Sequence, residues 1–196
     1  MEKEQLIERL FQNSIAAKID CIEVVTQPLL RAATVLTECL LGNGKLLVCG
    51  NGGSSLNAQF LVATLMNYGE RERPGLPALL LASSGATQTA SGQEYGSHDV
   101  FARQIRALGQ ADDCLVLFTR TGTQPNLLNA VSAAHARGMP VVALTAHDGG
   151  NVPTLLEQRD AEVRLPLSSR FRIYEMHLLL SFGLCELIEL QLFGGA

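Results

Sequence analysis

The chain has 196 residues, 47% of them hydrophobic and 17% charged, with a formal net charge of -4. That length suits one domain able to bury a core, and the composition is that of a packed globular protein. The acidic balance and the lack of a basic run argue against direct nucleic-acid binding. The charged start Met1-Glu2-Lys3-Glu4-Gln5 is unlike a signal peptide, and no unbroken apolar run approaches the roughly 18 residues of a bilayer span. The five cysteines, Cys21, Cys39, Cys49, Cys114 and Cys185, are scattered and lack a C-x-x-C spacing. This is the pattern of reduced core thiols in a cytoplasmic protein.

Residues 3 to about 41 place Leu6, Ile7, Leu10, Phe11 and Ile15, then Leu29, Leu30, Ala33, Val35, Leu36, Leu40 and Leu41 at helical spacing. Pro28 predicts a break into two helices. With no sheet yet to cover, this preface predicts a surface buried against another subunit. Gly42-Asn43-Gly44 closes it, and Leu46-Leu47-Val48-Cys49 reads as a buried strand entering a glycine-rich turn. A helix follows from about Ser55 to Tyr68, and Glu70 to Gly75 reads as a solvated turn. Ala78 to Leu81 is a second strand, Ser83 to Ser97 a loop with a short helix, and Asp99 to Leu108 a helix. Cys114 to Phe118 is a third strand, apolar throughout as strands buried on both faces tend to be. Pro125 opens a helix that stops at Gly138. Val141 to Leu144 and the alternating Ala161 to Leu165 complete the strands, the last at an edge, before a helix from about Arg170 to Leu192. The alternation predicts a three-layer α/β/α fold on a five-stranded parallel sheet, preceded by N-terminal helices.

The turn Gly50-Asn51-Gly52-Gly53-Ser54-Ser55 runs from a strand into a helix N-terminus. Unpaired backbone N–H groups and the helix dipole converge there on an anion site, and the two serines add hydroxyl donors. It matches neither a Walker A loop nor a G-x-G-x-x-G fingerprint, and a plain βα turn with a serine cap remains the alternative. A second polar loop, Thr119-Arg120-Thr121-Gly122-Thr123-Gln124, follows the third strand. Ligands of such sheets lie beyond the carboxyl ends of the strands, so two donor-rich loops there suit a small phosphorylated molecule.

These loops, in this order, resemble those of the SIS (sugar isomerase) domain, a flavodoxin-like fold. Cys49 to Ser55 looks like the family's first phosphosugar loop, and Thr119-Arg120-Thr121-Gly122-Thr123 stands where the family carries a Ser-Thr-Ser-Gly-Asn type loop. Arg71-Glu72-Arg73-Pro74, the stretch Arg103 to Gly109, Val142-Ala143-Leu144-Thr145 with Asp148-Gly149-Gly150, and Arg172 to His177 resemble one branch. That branch comprises phosphoheptose isomerases and DnaA initiator-associating proteins, and the likeness spans nearly all of residues 1–196 as a single SIS unit. It implies a cytoplasmic homotetramer with contacts to a phosphorylated sugar from Asn51, Gly52, Gly53, Ser54 and Ser55. Thr119, Thr121 and Gly122 follow from the second loop, with Gln124 at a position often held by Ser. Arg120 either adds charge to the phosphate or points into solvent. Glu94 stands where the isomerases carry an Asp.

The resemblance also implies a zinc site, and there the chain departs from the pattern. Phe60 stands for the family's His, Thr64 for its Glu, Tyr174 for its Gln and Phe182 for its second His. A phenylalanine offers zinc no lone pair. Among other candidates, His98-Asp99, His147, and His177 with Glu175 are open to functional or structural readings, an Arg172–Glu175 ion pair is expected, and His135 reads as a surface residue. The expectation is therefore a phosphosugar-binding SIS protein with no catalytic residue, no metal ligand and no cofactor, an adaptor like the DnaA initiator-associating proteins. Its partner would be a DnaA-type replication initiator, with neither nucleic acid nor membrane bound directly. Leu192 and Phe193 would either form a contact point or pack back on the N-terminal helices. The alternative is a zinc-dependent phosphoheptose isomerase converting sedoheptulose 7-phosphate to a heptose 7-phosphate.

Overall fold

The computed structural model describes residues 2–82 and 84–194. Ser83, where the sequence reading starts a loop, lies outside the described residues, as do Met1, Gly195 and Ala196. The preface is one helix, α1 (Lys3–Leu41), and the predicted break at Pro28 does not occur. An interior proline removes one N–H and crowds the carbonyl four residues back. Anchors on both sides outweigh that cost. Cys21 and Val25 before the proline, and Ala32, Ala33 and Leu36 after it, are buried in one apolar core. Arg31 adds a bond from its Nε to the Asp160 carbonyl at 3.1 Å.

Strands β1 (Leu46–Gly50), β2 (Ala78–Leu80), β3 (Cys114–Phe118), β4 (Val141–Ala146) and β5 (Ala161–Leu165) form one parallel sheet in the order β2-β1-β3-β4-β5. Between them lie α2 (Gly53–Met66), α3 (Gly85–Tyr95), a 3-10 turn Ser97–Asp99, α4 (Val100–Leu108) and α5 (Pro125–Ala136), and α6 (Arg170–Phe193) closes the chain. Side chains alternate across the sheet with a period of two. Leu46, Val48 and Val116 face α1, α2 and α6, while Leu47, Cys49 and Leu115 face α4 and α5. The three layers, the parallel sheet and the edge position of β5 follow the sequence reading. The helix expected between Ser84 and Ser97 is present as the 11-residue α3, longer than the short one expected, and it buries none of its residues.

The turn after α2 is less solvated than its charges suggest. The Arg73 side chain is 3% exposed and holds Glu189 of α6 at 2.9 Å. Its other nitrogens cap the carbonyls of Thr64 at 3.1 Å and Leu65 at 2.8 Å. Carbonyls in the last turn of a helix lack intrahelical partners, and a guanidinium supplies several donors at once. All five cysteines are free and buried. Burial pushes the Cys39 and Cys185 thiols up to about 12 and raises those of Cys21, Cys49 and Cys114 as well, so none is a ready nucleophile.

By length and composition α1 and α6 could each cross a bilayer, although neither carries an unbroken apolar run of that length. Both instead contribute a face to the core beneath the sheet, through residues such as Leu36, Leu180, Leu184 and Ile188. The rest of α1 leaves Leu6, Ile7, Leu10, Phe11, Ile15 and Ile19 more than half exposed.

His177 of α6 is fully buried, edge-on to Phe118 with ring centroids 5.8 Å apart. Its Nε2–H donates to the Thr145 carbonyl at 3.2 Å. Burial pushes its pKa down to about 4. The unfolded chain returns this imidazole to an ordinary value near 6.5 and takes up a proton below it, while the folded chain does not. Stability from this group is therefore complete above about pH 6.5 and falls as the pH drops toward 4. Urea unfolding should lose roughly 2 to 3 kcal/mol more between pH 7.5 and 4.5 in the native sequence than in His177→Gln; equal losses would disprove the assignment.

Candidate functional site

Register decides where the two polar loops emerge. β1 and β3 pair as neighbours, with Gly50 opposite Phe118, so the residues that follow leave the sheet side by side. This is also where the strand order reverses, β2 lying on one side of β1 and β4 on the far side of β3. Ligand clefts of open α/β sheets form at such switch points.

In the first loop Gly52 adopts φ +56 and ψ -123, a conformation open to glycine and strained for other residues. It turns the chain into α2, whose first N–H groups close back: Ser54 N–H bonds the Asn51 carbonyl at 3.1 Å and Ser55 N–H the Gly52 carbonyl at 3.0 Å. The Ser55 hydroxyl also donates to Gly52, at 2.6 Å. Gly53 lies against the Tyr174 ring, and a Cβ there would stand 2.6 Å from its Cζ. The second loop is braced from outside by a third, Asp148 to Asn151. Asn151 N–H donates to the Gly122 carbonyl at 3.0 Å. Gly122 has φ +62, and a side chain on it would run into the Gly149 carbonyl.

Two cavities open beside these loops. The larger, about 460 Å³, is lined by Asn51, Gly52, Ser55, Gln59, Gln88, Ser97 and Asn126 over an apolar floor that includes Leu81 and Phe101. The smaller, about 170 Å³, is lined by Asn51, Gly52, Ser54, Thr119, Arg120, Gln124 and Tyr174. Asn51 belongs to both. Its carboxamide pairs reciprocally with that of Asn126, each Nδ2 donating to the other's Oδ1 at 2.9 Å. The pair ties the first loop to the start of α5 and leaves each amide one further N–H for a ligand.

Of the residues expected to bind, Asn51, Gly52, Ser54, Thr119, Arg120 and Gln124 line the smaller cavity, Asn51, Gly52 and Ser55 the larger, and Gly53, Thr121 and Gly122 neither. Glu94 is exposed on α3 and lines neither cavity. Gln59, Gln88, Ser97 and Asn126 were not anticipated; only Asn126, one residue inside a proline-started helix beside a polar loop, carried a local signal. The possible His98-Asp99 dyad does not form, because Asp99 turns to Arg106 at 2.7 Å. His147 is exposed with φ +63. The expected Arg172–Glu175 ion pair is present at 2.5 Å. Burial acts to raise the Glu175 carboxyl, but bonds from Lys18 and Ser14 and the charge of Arg172 together hold it below its ordinary range. His135, expected at the surface, is half-buried and its Nε2 meets the buried Asp160 at 2.9 Å.

At the positions where the resemblance puts zinc ligands, Phe60 and Phe182 meet edge to face, 5.1 Å between centroids at 74°. With Thr64, Tyr68, Cys185 and the carboxylates Glu70, Glu186 and Glu189 they line a separate cavity of about 370 Å³, while Tyr174 lies against Gly53. Two rings without lone pairs, a hydroxyl and a phenol do not make a zinc donor set. Among the described residues no group of three or more His, Cys, Asp or Glu is placed to hold a metal.

The fold and its paired loops define an α/β protein with a polar cleft at the switch point of its parallel sheet. The SIS domain pattern matches residues 10–146, and the chain belongs to that family. It is 43% identical over 196 residues, all of both chains, to the phosphoheptose isomerase of Alkalilimnicola ehrlichii. Against that of Chromohalobacter salexigens it is 45% identical over 184 residues, 94% of this chain and 93% of the relative. A phosphoheptose isomerase structure from Francisella tularensis matches with a TM-score of 0.92 at 40% identity, covering 96% of this chain and 98% of that one. These relatives overturn the expectation of a non-catalytic adaptor. That expectation rested on four side chains of one metal set, whereas the likeness to isomerases runs through the whole chain.

Asn126→Ala leaves the Asn51 amide without a partner on either of its atoms. It should cost about 1 to 2 kcal/mol in denaturant unfolding. Adding Asn51→Ala should cost less than the sum of the two single changes, since the pair is lost as a unit; strict additivity would show that the two amides do not depend on each other.

Proposed function

We propose that this protein is a phosphosugar isomerase of the phosphoheptose isomerase kind, acting on sedoheptulose 7-phosphate in the cytoplasm. The observation that carries the reading is the pair of donor-rich loops set side by side by the β1–β3 register, in a chain similar from end to end to phosphoheptose isomerases. In this reading the smaller cavity takes the phosphate. Ser54 and Thr119 offer hydroxyls and Arg120 offers charge. The larger cavity takes the sugar chain, whose hydroxyls meet Gln59, Gln88, Ser97 and the free N–H groups of the Asn51–Asn126 pair.

Aldose–ketose isomerisation moves a proton between neighbouring carbons and stabilises the oxygen on which charge develops. Among the described residues neither cavity lining includes a carboxylate or an imidazole. The residues named here therefore bind and orient the sugar, and no step is routed through zinc. The exposed apolar face of α1 supports a homotetramer, since a row from Leu6 to Ile19 is more than half exposed in a single chain.

Purified protein should turn over sedoheptulose 7-phosphate, and excess chelator should leave the rate unchanged. A folded protein with no turnover would overturn the proposed activity. Turnover abolished by chelator and restored by zinc would instead overturn the reading of Phe60, Thr64, Tyr174 and Phe182 as unable to support a metal.

A further inference from the structure

Two threonine hydroxyls of the second loop, that of Thr119 beside the smaller cavity among them, already have partners. Thr119 Oγ1 accepts the Gly122 N–H at 2.9 Å and donates its own proton to Gln124 Oε1 at 3.0 Å. Gln124 Nε2 donates in turn to Thr121 Oγ1 at 2.5 Å. A hydroxyl has a single proton to give, so the Thr119 donor is committed. Gln124 precedes Pro125 and stands at the N-cap of α5, with φ -72 and ψ 124, yet its side chain caps no helix N–H. The carboxamide reaches back across the loop and bridges the two threonines instead.

We propose that Gln124 is a specificity-determining residue: its carboxamide occupies the phosphate cradle of the ligand-free chain, and a phosphorylated sugar binds by displacing it. The inference rests on the phosphosugar reading above. A phosphate oxygen is charged and a carboxamide oxygen is neutral, so phosphate is the stronger acceptor for the Thr119 proton. The displaced side chain turns about staggered torsions, with no backbone change required. An unphosphorylated sugar brings no anion to compete for these donors and is left outside. Because the cradle is open only part of the time, apparent affinity is lowered by the open fraction, and a change that removes the plug raises it.

Calorimetric titration with inorganic phosphate and with sedoheptulose 7-phosphate tests this on the native protein, Gln124→Ser and Gln124→Glu. Gln124→Ser should bind both ligands about tenfold more tightly, the size of one freed hydrogen bond. Gln124→Glu keeps an acceptor for Thr119 and adds charge, and should bind at least about tenfold more weakly. If Gln124→Ser is poorly folded by its melting temperature, Gln124→Ala carries the same expectation in direction. Native protein that binds while Gln124→Ser binds equally or more weakly would overturn the proposal and leave Gln124 as an ordinary ligand contact. Binding seen only once Gln124 is shortened would support it. Failure of every form to bind either ligand would bring down the phosphosugar reading and this inference together.

Discussion

Parallel pairing of β1 with β3 is the constraint on which the site depends. It places Gly50 opposite Phe118, so the chain leaves both strands at one height and the two polar loops share an opening. Both strands are fully buried, and their alternate side chains are divided between two apolar layers. A one-residue slip would exchange those layers and separate the loops. The cleft is thus held by apolar packing well beneath it, and the loops can stay polar and glycine-rich without losing their relative position.

Above the sheet the loops are held by short-range contacts between distant parts of the chain. The third loop leaves no room for a side chain at Gly122, the Asn51–Asn126 amides join the first loop to α5, and Gln124 closes the second loop on itself. This arrangement is pre-organised, which lowers the entropy lost when a ligand binds. It also means that donors are engaged before any ligand arrives. Under the proposed displacement of Gln124, binding is an exchange of partners that favours stronger acceptors than a carboxamide.

Phe60 and Phe182 show a local change accepted by an unchanged frame. One ring lies on α2 and the other on α6, and their edge-to-face contact adds apolar surface to a helix pair already joined by Arg73 and Glu189. Phe60, Thr64 and Phe182 set what that spot can coordinate, while the strand order and the loops are held elsewhere. For this reason those side chains are a poor guide to the family the chain belongs to.

The sequence alone determined the layers, the parallel sheet, the edge strand and the glycine and hydroxyl loops, because apolar periodicity and turn chemistry are local signals. It also identified most residues of the smaller cavity, which lie within two short segments. Only the tertiary structure decided the rest. Pro28 stays inside a helix because buried residues on both sides outweigh its local penalty. Arg73 is hidden in what reads as a charged turn because helix-end carbonyls draw its donors inward. Gln88, Ser97 and Asn126 reach one cavity from three separate elements, and a pairing across 75 residues, such as Asn51 with Asn126, leaves no trace in spacing. Which hydroxyls are already engaged depends on where Gln124 turns, and that is set by three-dimensional neighbours rather than by any pattern along the chain.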